Sequence, residues 1–338
     1  MKIIFHGLLR QLHTDEGKEV IGRDGCHSVA PQSMHLSNNL AKLGHETQIV
    51  DFAHSEEDIR DIKADAILID DIPQHLLLTR RYGFEKLKKY EFYLSHRGIT
   101  EAINMRWVTE QSDIIGFTCE IARELWKNLN GGNCFTASYG FPAEWRYPPI
   151  QPNPYKAGKK ILLFAGIVYS PWNLEILNRV SKAFPDVEIH IIGSAVEHKD
   201  CFFKITGEPP AALKQFIYPQ KNIIWHGPMA HGTFTHYLYY ADLGLNFMKK
   251  VVTVVNCKVW DYLGMGLPTI SMPQGQPIDY LIEEAKCGII TDESGYIEAI
   301  EKGLNTKFDR EGAREWMVEN ESYYALAKRW DKKIKELE

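Results

Sequence analysis

Short apolar runs alternate with helical patterns along this chain, and one proline-dense segment cuts the alternation in two. Apolar runs at 2–9, 47–52, 66–69 and 113–117 read as buried strands. Between them Leu36, Leu40 and Leu43 recur at helical spacing, which predicts a helix over 33–43. Residues 84–94, 99–107 and 118–129 give further helical patterns, and the polar stretch 14–32 reads as a long loop. Alternation of this kind predicts a parallel sheet with helices on both faces. Pro148, Pro149, Pro152 and Pro154 then fall within seven residues, which neither a helix interior nor a central strand accepts. This segment reads as a linker. Beyond it come strands at 160–165, 188–192, 222–226, 243–247, 268–271 and 288–291. Helices are expected at 173–183, 231–240, 257–265, 277–285, 294–304 and 311–337. The expected class is α/β, with two doubly wound, Rossmann-like domains over 1–150 and 151–315. A chain of 338 residues suits two domains of this kind.

Composition excludes several function classes. A formal net charge of -5 provides no overall field for attracting nucleic acid or an anionic membrane. Cysteines at 26, 119, 134, 201, 257 and 287 form no C-x-x-C pair and no metal-type spacing, as in proteins of a reducing compartment. The start, MKIIFHGLL, lacks a signal-peptide core and reads as a first strand. No stretch approaches the ~20 apolar residues of a membrane span. The expected location is cytoplasmic, with peripheral membrane attachment left open.

The most informative segment runs from Asn256 to Ser271. A helix carries Lys258 and Asp261, three apart and so on one face. Gly266-Leu267-Pro268 ends it, and a short apolar strand follows. This layout resembles the nucleotide-sugar site of GT-B glycosyltransferases, especially those like family 4, whose pattern is Lys-x-x-Glu-x-x-x-x-Gly-x-Pro. Here Asp261 stands in place of the Glu. The resemblance implies two domains facing a central cleft and a closing helix, 316–338, that packs back on the first. It gives Asp261 the ribose hydroxyls and Lys258 a phosphate; an i,i+3 pair between the two is the structural alternative. Gly166 matches the glycine that brings backbone close to the donor phosphates. Trp225, His226 and Gly227 fall where a strand ends beside the nucleobase, and Gln274 and Gly275 where backbone N–H groups meet sugar or phosphate. Residues 136–142 resemble the strand end at the base of the linker.

The match has departures. The family's phosphate-binding Arg and Lys are replaced by Ile167 and Trp172, and Lys249 and Lys250 are candidates to substitute for them. The first carboxylate of the family's Glu-x7-Glu falls on Thr253. In the first domain Asp70, Asp71 and His96 are candidate catalytic bases, with helix capping the alternative for the two aspartates. No metal is expected, and no cofactor beyond the nucleotide sugar as donor substrate. Residues 79–93 mix Arg and Lys with aromatics. They form either an amphipathic helix with a solvated basic face or a contact for membrane or nucleic acid.

The expected function is transfer of a sugar from a UDP-linked donor to a hydroxyl of a glycan, lipid-linked or other acceptor. Lys258-Val259-Trp260-Asp261 also looks like the Arg-Val-Trp-Glu of a phage DNA glucosyltransferase, which keeps modified DNA bases as an alternative acceptor. A non-catalytic nucleotide-binding module and a nucleotide-sugar epimerase on the same scaffold are the other readings.

Overall fold

The computed structural model describes residues 1–7, 11–13, 19–21, 29–51, 65–71, 75–79, 114–117, 134–143, 152–206, 220–247 and 257–336, with a few short breaks, and isolated positions within 120–127. Among these, two six-stranded sheets dominate.

The first sheet has the order β4-β1-β5-β6-β7-β8. Its strands are β1 (Lys2–Gly7), β4 (Glu46–Asp51), β5 (Ala66–Asp71), β6 (His75–Thr79), β7 (Ile114–Phe117) and β8 (Cys134–Thr136). A small antiparallel pair, β2 (Gln11–His13) and β3 (Glu19–Ile21), sits within the stretch expected to be loop. Helix α1 (Val29–Lys42) starts four residues before the expected 33. Pro31 falls in its first turn, where the missing N–H leaves no helical bond unmade.

This sheet is mixed rather than parallel. β1 pairs in parallel with β4 and β5, but β6 runs antiparallel to both β5 and β7. Three residues separate β5 from β6, and so short a connection permits only an antiparallel return. The candidates Asp70 and Asp71 therefore lie within a hairpin strand, opposite Leu76 and His75, and lead into no helix they could cap. The expected helices at 84–94 and 99–107 lie outside the described residues.

The second sheet is parallel throughout, with the order β13-β10-β9-β14-β15-β16. It contains β9 (Ile161–Ala165), β10 (Glu188–Ile192), β13 (Ile223–Gly227), β14 (Leu243–Asn246), β15 (Thr269–Ser271) and β16 (Gly288–Ile290). An unexpected antiparallel ribbon, β11 (Ala195–Lys199) with β12 (Phe202–Thr206), stands apart from it. The flanking helices are α2 (Pro171–Ala183), α3 (His231–Tyr240), α4 (Lys258–Gly264), α5 (Ile278–Glu284) and α6 (Tyr296–Asn305). β9 and β10 are buried along their whole length, as expected for strands covered on both faces.

The expected final helix is two: α7 (Arg310–Glu321) and α8 (Tyr323–Lys335). They part at Ser322, whose hydroxyl caps α8 by accepting from Ala325 N–H. The break has a tertiary cause. Phe141 N–H donates to Glu321 O at 2.8 Å, and Tyr323 N–H to Phe141 O at 3.0 Å. α8 then packs on α1 and β1, with Trp330 buried beside Ile3, Phe5 and Leu36. The segment ending at Phe141 also meets α4: Tyr139 stands edge-on to Trp260 at 5.5 Å, and a Cβ on Gly264 would lie 2.3 Å from the Phe141 ring. One apolar cluster thus joins the first sheet's Ile115 and Phe117 to α4 of the second.

Candidate functional site

Three glycines line the carboxyl edge of the second sheet. Gly166 follows β9, Gly193 follows β10 and Gly227 ends β13, with φ of +128°, +146° and +75°. Gly166 N–H donates to Ile192 O at 2.8 Å, and Gly193 N–H to Gly227 O at 2.9 Å. A Cβ on Gly193 would lie 2.0 Å from Gly166 O, so no side chain fits there. Glycine tolerates these angles and leaves backbone open to close approach by a ligand. Gly193 was missed in the sequence; the available signal was a glycine directly after the apolar strand 188–192.

α4 brings polar groups to the same edge. Its Tyr262 anchors it, accepting from Ala165 N–H at 2.6 Å while the ring fills the space left by Gly244. Lys258, on the first turn, places Nζ 4.0 Å from the centre of the Phe164 ring. A Cβ on Gly166 would be 3.9 Å from that Nζ. Lys258 therefore reaches the glycine edge and makes no ion pair with Asp261. Burial lowers its pKa to about 7, because the charged form loses hydration, an effect that nearby Cys257 only partly offsets. Asp261 is partly buried one turn later on α4. Of the residues expected together at this site, Lys258 and Gly166 meet, and Asp261 lies one turn further along α4.

The other expected positions divide. Gln274 N–H lies 3.0 Å from Asp279 Oδ1, and Gly275 N–H donates to Asp279 Oδ2 at 2.8 Å. These amides already hold a carboxylate, so a ligand group there would have to share or displace Asp279. Trp225 packs with the α2-side cluster, and its buried indole N–H has no partner among the described residues. His226 faces the other side of the sheet, with Nε2 2.8 Å from His190 Nδ1. Trp172 packs edge-on to Phe247 at 5.9 Å, an apolar role where a phosphate cation was looked for. Asp70 and Asp71 belong to the first sheet. His96, Lys249, Lys250, Ile167, Thr253 and positions 80–93 lie outside the described residues. Among the described residues no group of three or more His, Cys, Asp or Glu is arranged to hold a metal ion. No described helix is long and apolar enough to cross a membrane.

Two six-stranded sheets, one mixed and one parallel, joined by a returning C-terminal helix, form the GT-B architecture. Solved structures share this fold over the whole chain. Sucrose-phosphate synthase from Thermosynechococcus elongatus matches with a TM-score of 0.62 and 14% identity, over 99% of this chain and 98% of that one. Anabaena HepE in complex with UDP-glucose matches with a TM-score of 0.64 and 12% identity, over 99% and 100%. WaaG, a glycosyltransferase involved in lipopolysaccharide biosynthesis, gives 0.57 and 12% over 97% and 98%. No family model matches the sequence. No curated protein matches it either.

Proposed function

We propose that this chain is a glycosyltransferase that moves a sugar from a nucleoside diphosphate, UDP in the first instance, to a hydroxyl of a glycan or lipid-linked acceptor. The observation that carries the reading is the approach of Lys258 to Gly166 at the carboxyl edge of a parallel sheet, where open α/β folds bind ligands. In this reading the diphosphate lies over Gly166 and Gly193, against the Lys258 ammonium. Asp261 takes the ribose hydroxyls, and the base lies at the end of β13 near Trp225, His226 and Gly227. A cation held in a poorly hydrated site stabilises the diphosphate as it leaves the sugar. Lys249 and Lys250 would add charge, and Asp70, Asp71 or His96 would supply the base. That HepE was crystallised with UDP-glucose supports the choice of donor. The reaction requires no metal in this scheme, and the protein would work in the cytoplasm.

Trp172, seated in the apolar cluster where the family places a phosphate cation, favours a second reading: a nucleotide-binding module without turnover. Release of free UDP from UDP-sugars separates the two. The fate of the sugar, transferred or returned as an epimer, separates transfer from epimerisation.

Titration with UDP and a panel of UDP-sugars, with and without chelator, tests the donor site. Asp261→Ala is expected to weaken UDP binding by about 1–3 kcal/mol, the loss of a charge-assisted hydrogen bond. Inorganic pyrophosphate, which has no ribose, should bind this variant as it binds the parent. An unchanged UDP affinity would remove Asp261 from the site.

A further inference from the structure

A chain of three polar side chains spans two neighbouring strands of the second sheet and ends at the strand edge assigned above to the nucleobase. Glu188 opens β10, His190 lies two residues on, and His226 comes from the neighbouring β13. Glu188 Oε2 is 3.2 Å from His190 Nε2, and His190 Nδ1 is 2.8 Å from His226 Nε2. Glu188 and His190 are buried, and His226 is partly exposed. The pairing of β10 with β13 slips at this point. Ile191 pairs with Trp225 and Ile192 with Gly227, which leaves His226 as the extra residue of a bulge. Bulges re-aim a side chain and are frequent beside ligand sites.

The surroundings hold this chain in place. Tyr155 stands edge-on to His190 at 4.7 Å, and its hydroxyl donates to Tyr237 O at 2.8 Å. Tyr237 packs against His226 at 5.1 Å and against His236 at 4.5 Å. Lys156 acts on His190 through space. Burial pushes both imidazoles below their ordinary pKa, His226 to about 4, so both are neutral near pH 7.

Neutral imidazoles have one N–H each, and this fixes the direction of every bond. The Glu188 carboxylate can only accept, so His190 Nε2 carries hydrogen. His190 Nδ1 must then accept, so His226 Nε2 carries hydrogen. His226 Nδ1 is left as an acceptor outside these bonds, on the residue that precedes Gly227. The structure assigns to Glu188, His190 and His226 the selection of the nucleobase: His226 Nδ1 accepts from the N3–H of uracil and rejects cytosine, whose N3 is itself an acceptor. Uracil and cytosine have nearly the same shape, so the choice rests on hydrogen-bond polarity. A buried acceptor left facing another acceptor forfeits its bond on both sides. The inference rests on the donor-site reading proposed above.

The test is affinity for UDP, CDP and inorganic pyrophosphate, measured on the full chain. The parent should prefer UDP over CDP by at least about tenfold. Glu188→Leu and His226→Phe should bring that ratio close to one while pyrophosphate binding is unchanged. Glu188→Gln retains a carbonyl acceptor for His190 and should retain the preference. Nitrogen-15 spectra of the parent give an independent reading, with hydrogen on Nε2 and none on Nδ1 in both His190 and His226. A parent that binds UDP and CDP equally, a ratio that survives Glu188→Leu and His226→Phe, or hydrogen on His226 Nδ1 would each overturn the assignment and leave the donor site standing. Failure of the parent to bind pyrophosphate or any nucleotide would overturn the donor site, and this inference with it.

Discussion

Trp260→Ala should lower the unfolding free energy by about 3–5 kcal/mol, the range for truncating a large buried aromatic. Trp260 is 1% exposed and is among the largest fully buried side chains of the described residues. Its ring stands edge-on to Tyr139, and its indole nitrogen lies 3.5 Å from Glu321 Oε2. Tyr139 precedes Phe141, which bonds to the turn between α7 and α8, so the cavity would open where the two sheets and the returning helices meet. Chemical denaturation gives the number, and a loss under about 1 kcal/mol would show that this junction collapses around the gap. Trp260→Phe keeps most of the volume and should recover much of the loss. The packing also explains the four residues Lys258-Val259-Trp260-Asp261. Val259 and Trp260 are buried on α4, whereas Lys258 and Asp261 are partly exposed. Half of that short match to a DNA glucosyltransferase therefore reflects how α4 packs, not what the site binds.

The second half of the fold was legible because its central strands are buried on both faces and its strands stand out as short apolar runs between helical patterns. Ile161–Ala165 and Glu188–Ile192 are cases in point. β6 was missed because Leu76-Leu77-Leu78 is too short to separate strand from helix by period, and its neighbours lack an Asn-Gly or Asp-Gly hairpin signal. The break at Ser322 was invisible for a different reason. A continuous amphipathic pattern runs through it, and the interruption comes from Phe141, about 180 residues away.

The site divides along the same line. Lys258, Asp261 and Gly166 were readable because each belongs to a local motif. Gly193 matters through Gly166, Asp279 through the amides of residues 274 and 275, and His226 through Glu188 and His190. No spacing in the sequence records these pairings. Trp172, which stands in the sequence where the resembled family has a cation, packs edge-on to Phe247 instead.

Lys258→Met should separate binding from stability. In the donor-site reading, removing the ammonium weakens UDP and pyrophosphate binding by about 2–5 kcal/mol, the cost of stripping one partner from a largely desolvated charge contact. The free protein should become more stable below pH 7. The parent's lysine has a pKa of about 7 folded, against an ordinary value of 10.5, so between these values the unfolded chain binds more protons. The lysine's penalty on the folded state is therefore full below pH 7 and fades as pH rises toward 10.5. Methionine removes that penalty, so its stabilising effect is largest at acidic pH. The same titration marks ligand binding. A diphosphate beside Lys258 favours the ammonium, so UDP binding at pH 8.5 should draw in a proton, whereas binding at pH 6 should draw in almost none at this residue. Calorimetry in two buffers of different ionisation enthalpy reads the uptake directly. Uptake at pH 8.5 that disappears in Lys258→Met would place the phosphate against this side chain. Uptake that persists in the variant would assign the proton to another group and take Lys258 out of the donor site.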